Sequence, residues 1–194
     1  MRVVRKNGST KNPRVAVVLT GGQSRRFGSN KATAKIGNQT FLEILTKTLR
    51  GSHFKVFLST ATTDLFPGGG PLQALHGAFS YYPFPKILFV ACDMPLVVPV
   101  VLEELWKESA GADVAFLKNN GKVCPLPGVY SRKILSYSKK LLADGKRDLK
   151  SLLKTDLTTK SLPESHWQAL DPEAKSIYNI NTLKDLEFVS ENLP

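Results

Sequence analysis

Cysteine is scarce in this 194-residue chain: there are two, Cys92 and Cys124, in unlike settings. Neither belongs to a Cys-x-x-Cys pair, so the pattern supports neither a disulfide framework nor a thiolate metal site. Buried free thiols in a reducing cytoplasm are the expectation. The three histidines, His53, His76 and His166, share no ligand-like spacing, which argues against zinc. No apolar run approaches the ~20 residues of a membrane-spanning helix, so no membrane partner is expected. Acid is also in short supply, with 16 Asp and Glu against 27 Lys and Arg and a formal net charge of +11. That balance favours polyanions: nucleic acid, nucleotides, phosphorylated substrates or acidic proteins. Aromatics are 9% of residues, and no aromatic-rich binding motif accompanies the charge. A nucleic-acid partner is therefore disfavoured.

At 42% hydrophobic, the chain has enough apolar material for one globular domain. Residues 1–13 read as a basic, flexible arm and 14–194 as a single domain. Arg2, Arg5, Lys6, Lys11 and Arg14 stand in the first fourteen positions without an acid or an apolar core, unlike a secretory signal. Strand-like runs occupy Arg14–Thr20, Phe54–Ser59, Lys86–Cys92, Ala112–Leu117 and Pro125–Tyr130. Helical patterns lie between them. Thr40-Phe-Leu-Glu43 has the spacing of a capping box; Phe41, Leu45 and Leu49 follow at helical intervals, and Gly51 stops the element. Pro71 opens a helix to Tyr81, and Pro99 another to Ser109. Ser131–Leu142, Asp148–Lys154 and Thr182–Asn192 complete the set. This alternation predicts an α/β sandwich with a mostly parallel sheet. The Gly68-Gly-Gly70 run reads as a mobile loop at the active site.

Three segments carry chemistry. The first is Val15-Ala-Val-Val-Leu-Thr-Gly-Gly-Gln-Ser-Arg-Arg-Phe-Gly-Ser-Asn-Lys31, a buried-strand run feeding two adjacent glycines and then Arg25, Arg26, Gly28 and Lys31. Glycines admit close backbone approach, and exposed N–H groups beside cations suit phosphates. The spacing is neither that of a P-loop nor that of the dinucleotide fingerprint. The second is Lys86-Ile-Leu-Phe-Val-Ala-Cys-Asp93-Met-Pro95, an apolar strand ending in a carboxylate. Ligands of open parallel sheets bind at strand carboxyl ends, where such a group suits Mg²⁺. The third is Tyr178-Asn-Ile-Asn-Thr182: if extended, it turns Asn179 and Asn181 to one side, and Thr182 can cap the next helix. Each also has a plain alternative in turn chemistry.

Together these segments resemble the MobA-type molybdenum cofactor guanylyltransferases of the nucleotidyltransferase superfamily. The blocks that carry the likeness are Leu19–Lys31, Gly70-Pro-Leu-Gln-Ala-Leu75, Ala91-Cys-Asp-Met-Pro-Leu96, Pro125-Leu-Pro-Gly-Val-Tyr130 and Asn179-Ile-Asn-Thr182, in family order. The double glycine points to the guanylyl branch over the cytidylyl branch. The resemblance implies a Rossmann-like three-layer α/β/α fold and Mg²⁺-dependent transfer of GMP from GTP to molybdopterin or its molybdenum form. Other cofactor-biosynthesis proteins and molybdoenzymes are the implied further partners. By position, Leu19, Gly21 and Gly22 would contact the nucleoside through backbone groups. Arg25, Arg26 and Lys31 would face the phosphates, and Asp93 would bind the metal. Asn179 and Asn181 would lie near the acceptor phosphate and metal, Ser59 would contact guanine, and Asp64 would contact the nucleoside. Arg26, Lys31 and Asp93 are the candidate catalytic groups. Against the family pattern, Thr20 replaces alanine, Phe27 methionine and Asn30 aspartate. The stretch from Ser59 to Pro71 is also shorter, wanting a helix and a strand. Alternatives are a cytidylyltransferase, a sugar-phosphate nucleotidyltransferase, and a GTP-binding member without catalysis.

Overall fold

The computed structural model describes residues 13–20, 34–59 and 69–192. Its first strand, β1 (Val15–Leu19), is buried along its whole length because both faces are covered. Val15, Val17 and Leu19 pack with Leu72 and Leu75 of α2 (Gly70–Tyr81) and Ile134 of α4 (Ile134–Ala143). Ala16 and Val18 pack on the other side with Leu45 and Leu49 of α1 (Phe41–Gly51) and Leu105 of α3 (Pro99–Glu108). Two apolar clusters thus sandwich one sheet, giving the expected three layers.

The remaining strands are β2 (Lys35–Ile36), β3 (Gln39–Thr40), β4 (Lys55–Ser59), β5 (Lys86–Ala91), β6 (Val114–Asn119), β7 (Lys122–Ser131) and β8 (Thr159–Leu162). Helices α5 (Glu164–Leu170) and α6 (Leu183–Asn192) and 3₁₀ turns at Leu149–Lys154 and Lys175–Ile177 complete the described elements. The central sheet runs β4-β1-β5-β7-β6-β8. β4, β1 and β5 are parallel, as are β6 and β8, and β7 alone runs against its neighbours. No helix among the described residues is long and apolar enough to cross a membrane.

The expected elements are present with shifted limits. The Ala112–Leu117 strand lies at Val114–Asn119, and the Pro125–Tyr130 strand begins at Lys122 and extends to Ser131. The helix expected from Ser131 therefore starts at Ile134. Asp148–Lys154 is a 3₁₀ turn rather than an α-helix, with the Asp148 carboxylate accepting the Ser151 N–H. Gly70 is the first residue of α2 and Gly69 its N-cap, so the glycine run is in part a helix start.

Prolines in β7 are tolerated because the ladder skips them. Phe116 of β6 faces Gly128, and its next residue, Leu117, faces Cys124, so Pro125–Pro127 bulge out of register. The buried Tyr130 donates its hydroxyl to Pro125 O at 2.7 Å and fastens the bulge. Gly128 is required beneath it: a Cβ there would sit 2.4 Å from Pro125 O.

The capping box forms as the spacing predicts. The Thr40 side chain accepts the Glu43 N–H at 3.2 Å, and the Glu43 carboxylate accepts the Thr40 N–H at 2.8 Å. These bonds hold the Glu43 carboxyl below its ordinary range, with the Thr40 backbone N–H as the main cause. Thr40→Ala is expected to cost about 1 kcal/mol of folding stability, read as a lower denaturant midpoint.

Candidate active site

β1 and β5 lie side by side with Leu19 opposite Ala91. The ladder continues one step further, where Cys92 N–H donates to Leu19 O at 3.0 Å. On the other flank Thr20 donates both its N–H and its hydroxyl to Ser59 O at the end of β4. The carboxyl ends of β4, β1 and β5 are therefore level. From β1 the chain goes out to β4, and from β5 it goes the opposite way to β6. Open α/β sheets bind ligands in the crevice at such a reversal.

Asp93 stands at this crevice. Met94 N–H turns back to Ala91 O at 3.1 Å, and Pro95 then blocks further strand. Asp93 is left half-buried at the turn. Its backbone carbonyl accepts the Ile180 N–H at 2.9 Å. That bond brings a segment from the far end of the chain against the turn that carries the strand-end carboxylate. Ile180 is fully buried with Ala34, Phe41 and Val189, while Asn179 and Asn181 on either side are exposed.

The asparagine segment is held from below by Asp185. Its Oδ2 accepts the N–H groups of Asn181 and Thr182, each at 2.8 Å, and the Thr182 hydroxyl accepts the Asp185 N–H at 3.1 Å. The Asn181 N–H, the largest influence, holds the Asp185 carboxyl below its usual range. Asn181 Nδ2 also donates to Asn179 O at 3.3 Å. Sequence reasoning identified the Thr182 cap but missed Asp185; the Thr-x-x-Asp spacing was the available signal.

Gly21, Gly22, Arg25, Arg26, Lys31 and Asp64 lie outside the described residues. Both described ends of the 21–33 segment reach the crevice. Thr20 is bonded to the end of β4, and Ala34 is buried against Ile180. Leu19 points its side chain into the core and commits its carbonyl to Cys92. Ser59 is fully buried, with its carbonyl taken up by Thr20.

Two further elements line the rim. The N-terminus of α2 emerges there, and Gly70 has φ +74, with Arg147 O only 2.8 Å from where a Cβ would stand. Leu72 N–H donates to that same carbonyl at 3.1 Å, so the 145–149 stretch is docked on the helix start. Because β7 is antiparallel, its Pro125–Pro127 bulge lies beyond the Phe89–Gly128 pair, beside the end of β5. Neither cysteine is in a disulfide; Cys92 is buried and Cys124 half-buried. Among the described residues no three His, Cys, Asp or Glu side chains gather as a ready metal cage.

Residues 16–162 match the MobA-like NTP transferase domain. The chain belongs to that family. A relative from Pelotomaculum thermopropionicum, named "Probable molybdenum cofactor guanylyltransferase", is 30% identical over 185 residues, covering 88% of each chain. The "Molybdenum cofactor guanylyltransferase" of Desulfosudis oleivorans is 27% identical over 185 residues, covering 88% of this chain and 91% of its own. Among solved structures, molybdopterin-guanine dinucleotide biosynthesis protein A from Archaeoglobus fulgidus superposes with a TM-score of 0.78 at 26% identity, covering 91% of this chain and 96% of that one. Family membership accounts for the three-layer fold.

Proposed function

We propose that this family member transfers GMP from GTP to the terminal phosphate of molybdopterin, or of its molybdenum form, releasing pyrophosphate. A phosphate oxygen of the acceptor attacks the α-phosphorus of GTP in line. The bond from that phosphorus to the bridging oxygen of pyrophosphate breaks, and its electron pair leaves with pyrophosphate. The observation that carries this reading is the hydrogen bond from Ile180 N–H to Asp93 O at 2.9 Å. It ties the backbone of Asp93 to the segment that carries the two asparagines, next to the end of β1, from which the glycine-rich segment follows in sequence.

The protein groups have little covalent work to do. Two polyanions must meet, so charge neutralisation and orientation are the task. Arg25 and Arg26 supply planar forks suited to phosphate oxygens. Lys31 offsets charge growing on the departing pyrophosphate. Asn179 and Asn181 orient the acceptor phosphate with amide groups, which carry no charge to repel it. The residue types fit Mg²⁺: one carboxylate, Asp93, and the amides of Asn179 and Asn181 on the segment bonded to its backbone would hold the ion, with the remaining ligands left to phosphates and water. Bound there, the ion supplies Lewis-acid polarisation of phosphate oxygens. The positive surface steers both substrates inward.

Ligand-induced stabilisation tests the nucleotide. With Mg²⁺ present, GTP is expected to raise the melting temperature above the shifts from CTP, ATP and UTP. A larger shift with CTP points to cytidylyl transfer instead. Single-turnover formation of the guanine dinucleotide from molybdopterin then separates an enzyme from a member that only binds GTP.

A further inference from the structure

The loop that carries Asp93 is fastened to the asparagine segment at two points. At its start, Asp93 O accepts the Ile180 N–H at 2.9 Å. At its end, Val98 N–H donates to the Ser176 hydroxyl oxygen at 3.0 Å, and Ser176 is fully buried. Residues 93–98 and 176–180 are therefore clamped together along their length.

Ser176 is itself set by a buried acid. Asp171 closes α5 and is 3% exposed. Its Oδ1 accepts the Lys175 N–H at 3.0 Å, and its Oδ2 accepts the Ser176 N–H at 2.7 Å. Its carbonyl accepts the Ala174 N–H at 2.9 Å, closing a turn in which Ala174 has φ +53. An alanine in that region is held by its surroundings. Carboxylate, turn and hydroxyl form one chain of bonds running from α5 to the loop behind Asp93.

We propose that Asp171 and Ser176 are positioning residues that fix the separation between Asp93 and the asparagine pair. Neither touches substrate. They act through the backbone of residues 98 and 176–180. This role rests on the reading of Asp93 and the asparagines given above. A carboxylate that holds the metal and two amides that orient the phosphate, on separate segments, can act at one reacting centre only if those segments keep their spacing. A misplacement near 1 Å at a phosphoryl-transfer site costs up to about 10²-fold in rate.

Ser176→Ala in the full chain tests the clamp. The serine is small, so little packing is lost. Turnover is expected to fall about 10- to 100-fold, with the KM for GTP little changed and half-saturating Mg²⁺ raised. Hydrogen exchange at the Ile180 amide is expected to accelerate about tenfold or more at nearly unchanged global stability. Asp171→Asn keeps one acceptor oxygen of two and is expected to give a smaller change of the same kind, which covers the case where Ser176→Ala folds poorly. The clamp is refuted if Ile180 exchange is unaltered in both variants, or if activity declines only in step with the unfolded fraction. Asp93→Asn measured alongside separates the two ideas. Impaired Asp93→Asn with normal Ser176→Ala and Asp171→Asn sinks the clamp alone. A normal Mg²⁺ titration for Asp93→Asn sinks the site reading and the positioning role with it.

Discussion

Lys31→Ala is expected to slow GMP transfer by roughly 10²–10³-fold, the scale for losing one charge-stabilising donor at a reacting phosphate. The triphosphate is already polyanionic, and the breaking bond moves further charge onto pyrophosphate. A compact ammonium is suited to meet that change, since it acts as a point charge and can follow a leaving group. Lys31 precedes Ala34 by three residues, and Ala34 is buried against Ile180 between the two asparagines. Binding of GTP is expected to weaken much less than turnover, because on the proposed reading Arg25, Arg26 and the glycine backbone would share the hold on the triphosphate. Single-turnover rates at saturating GTP, with the GTP-induced melting shift as a binding control, read the two effects apart. Near-normal transfer by the variant removes Lys31 from the mechanism.

The layers of the fold were legible because both-sided burial leaves a mark. Residues 15–19 and 87–91 are continuous apolar runs, and the capped and proline-started helices α1, α2 and α3 announce their own limits. The missed elements lack such marks. β2 and β3 are two residues each, too short for any periodicity. β8 reads Thr-Lys-Ser-Leu and hides little more than Leu162, as an edge strand does. α5 has seven residues and stands on the fully buried Trp167, whose indole N–H donates to Lys118 O at 2.9 Å. In the site, Asp93 was legible as a carboxylate ending a strand. Ser176 and Asp171 were not: their meaning lies in bonds to backbone groups such as the N–H of Val98, 78 positions from Ser176, and no local pattern encodes those.

Asp93→Asn is expected to raise the half-saturating Mg²⁺ concentration by about tenfold or more and to cut turnover by roughly 10²-fold, in keeping with several kcal/mol of metal-borne stabilisation. Asparagine nearly preserves the shape and keeps one oxygen, so the substitution removes charge more than volume. Magnesium favours carboxylate oxygen, and Asp93 is the strand-end carboxylate beside both asparagines. The bond that organises the crevice survives, because Ile180 N–H donates to the backbone carbonyl of residue 93 and not to its side chain. The melting temperature of the free protein is accordingly expected to move by only a few degrees. Loss of Mg²⁺ response at preserved stability assigns the carboxylate to the ion. A titration curve that overlays the wild type rejects Asp93 as the ligand. The in-line transfer would then have to draw its charge neutralisation from the lysine and arginines of the glycine-rich segment alone.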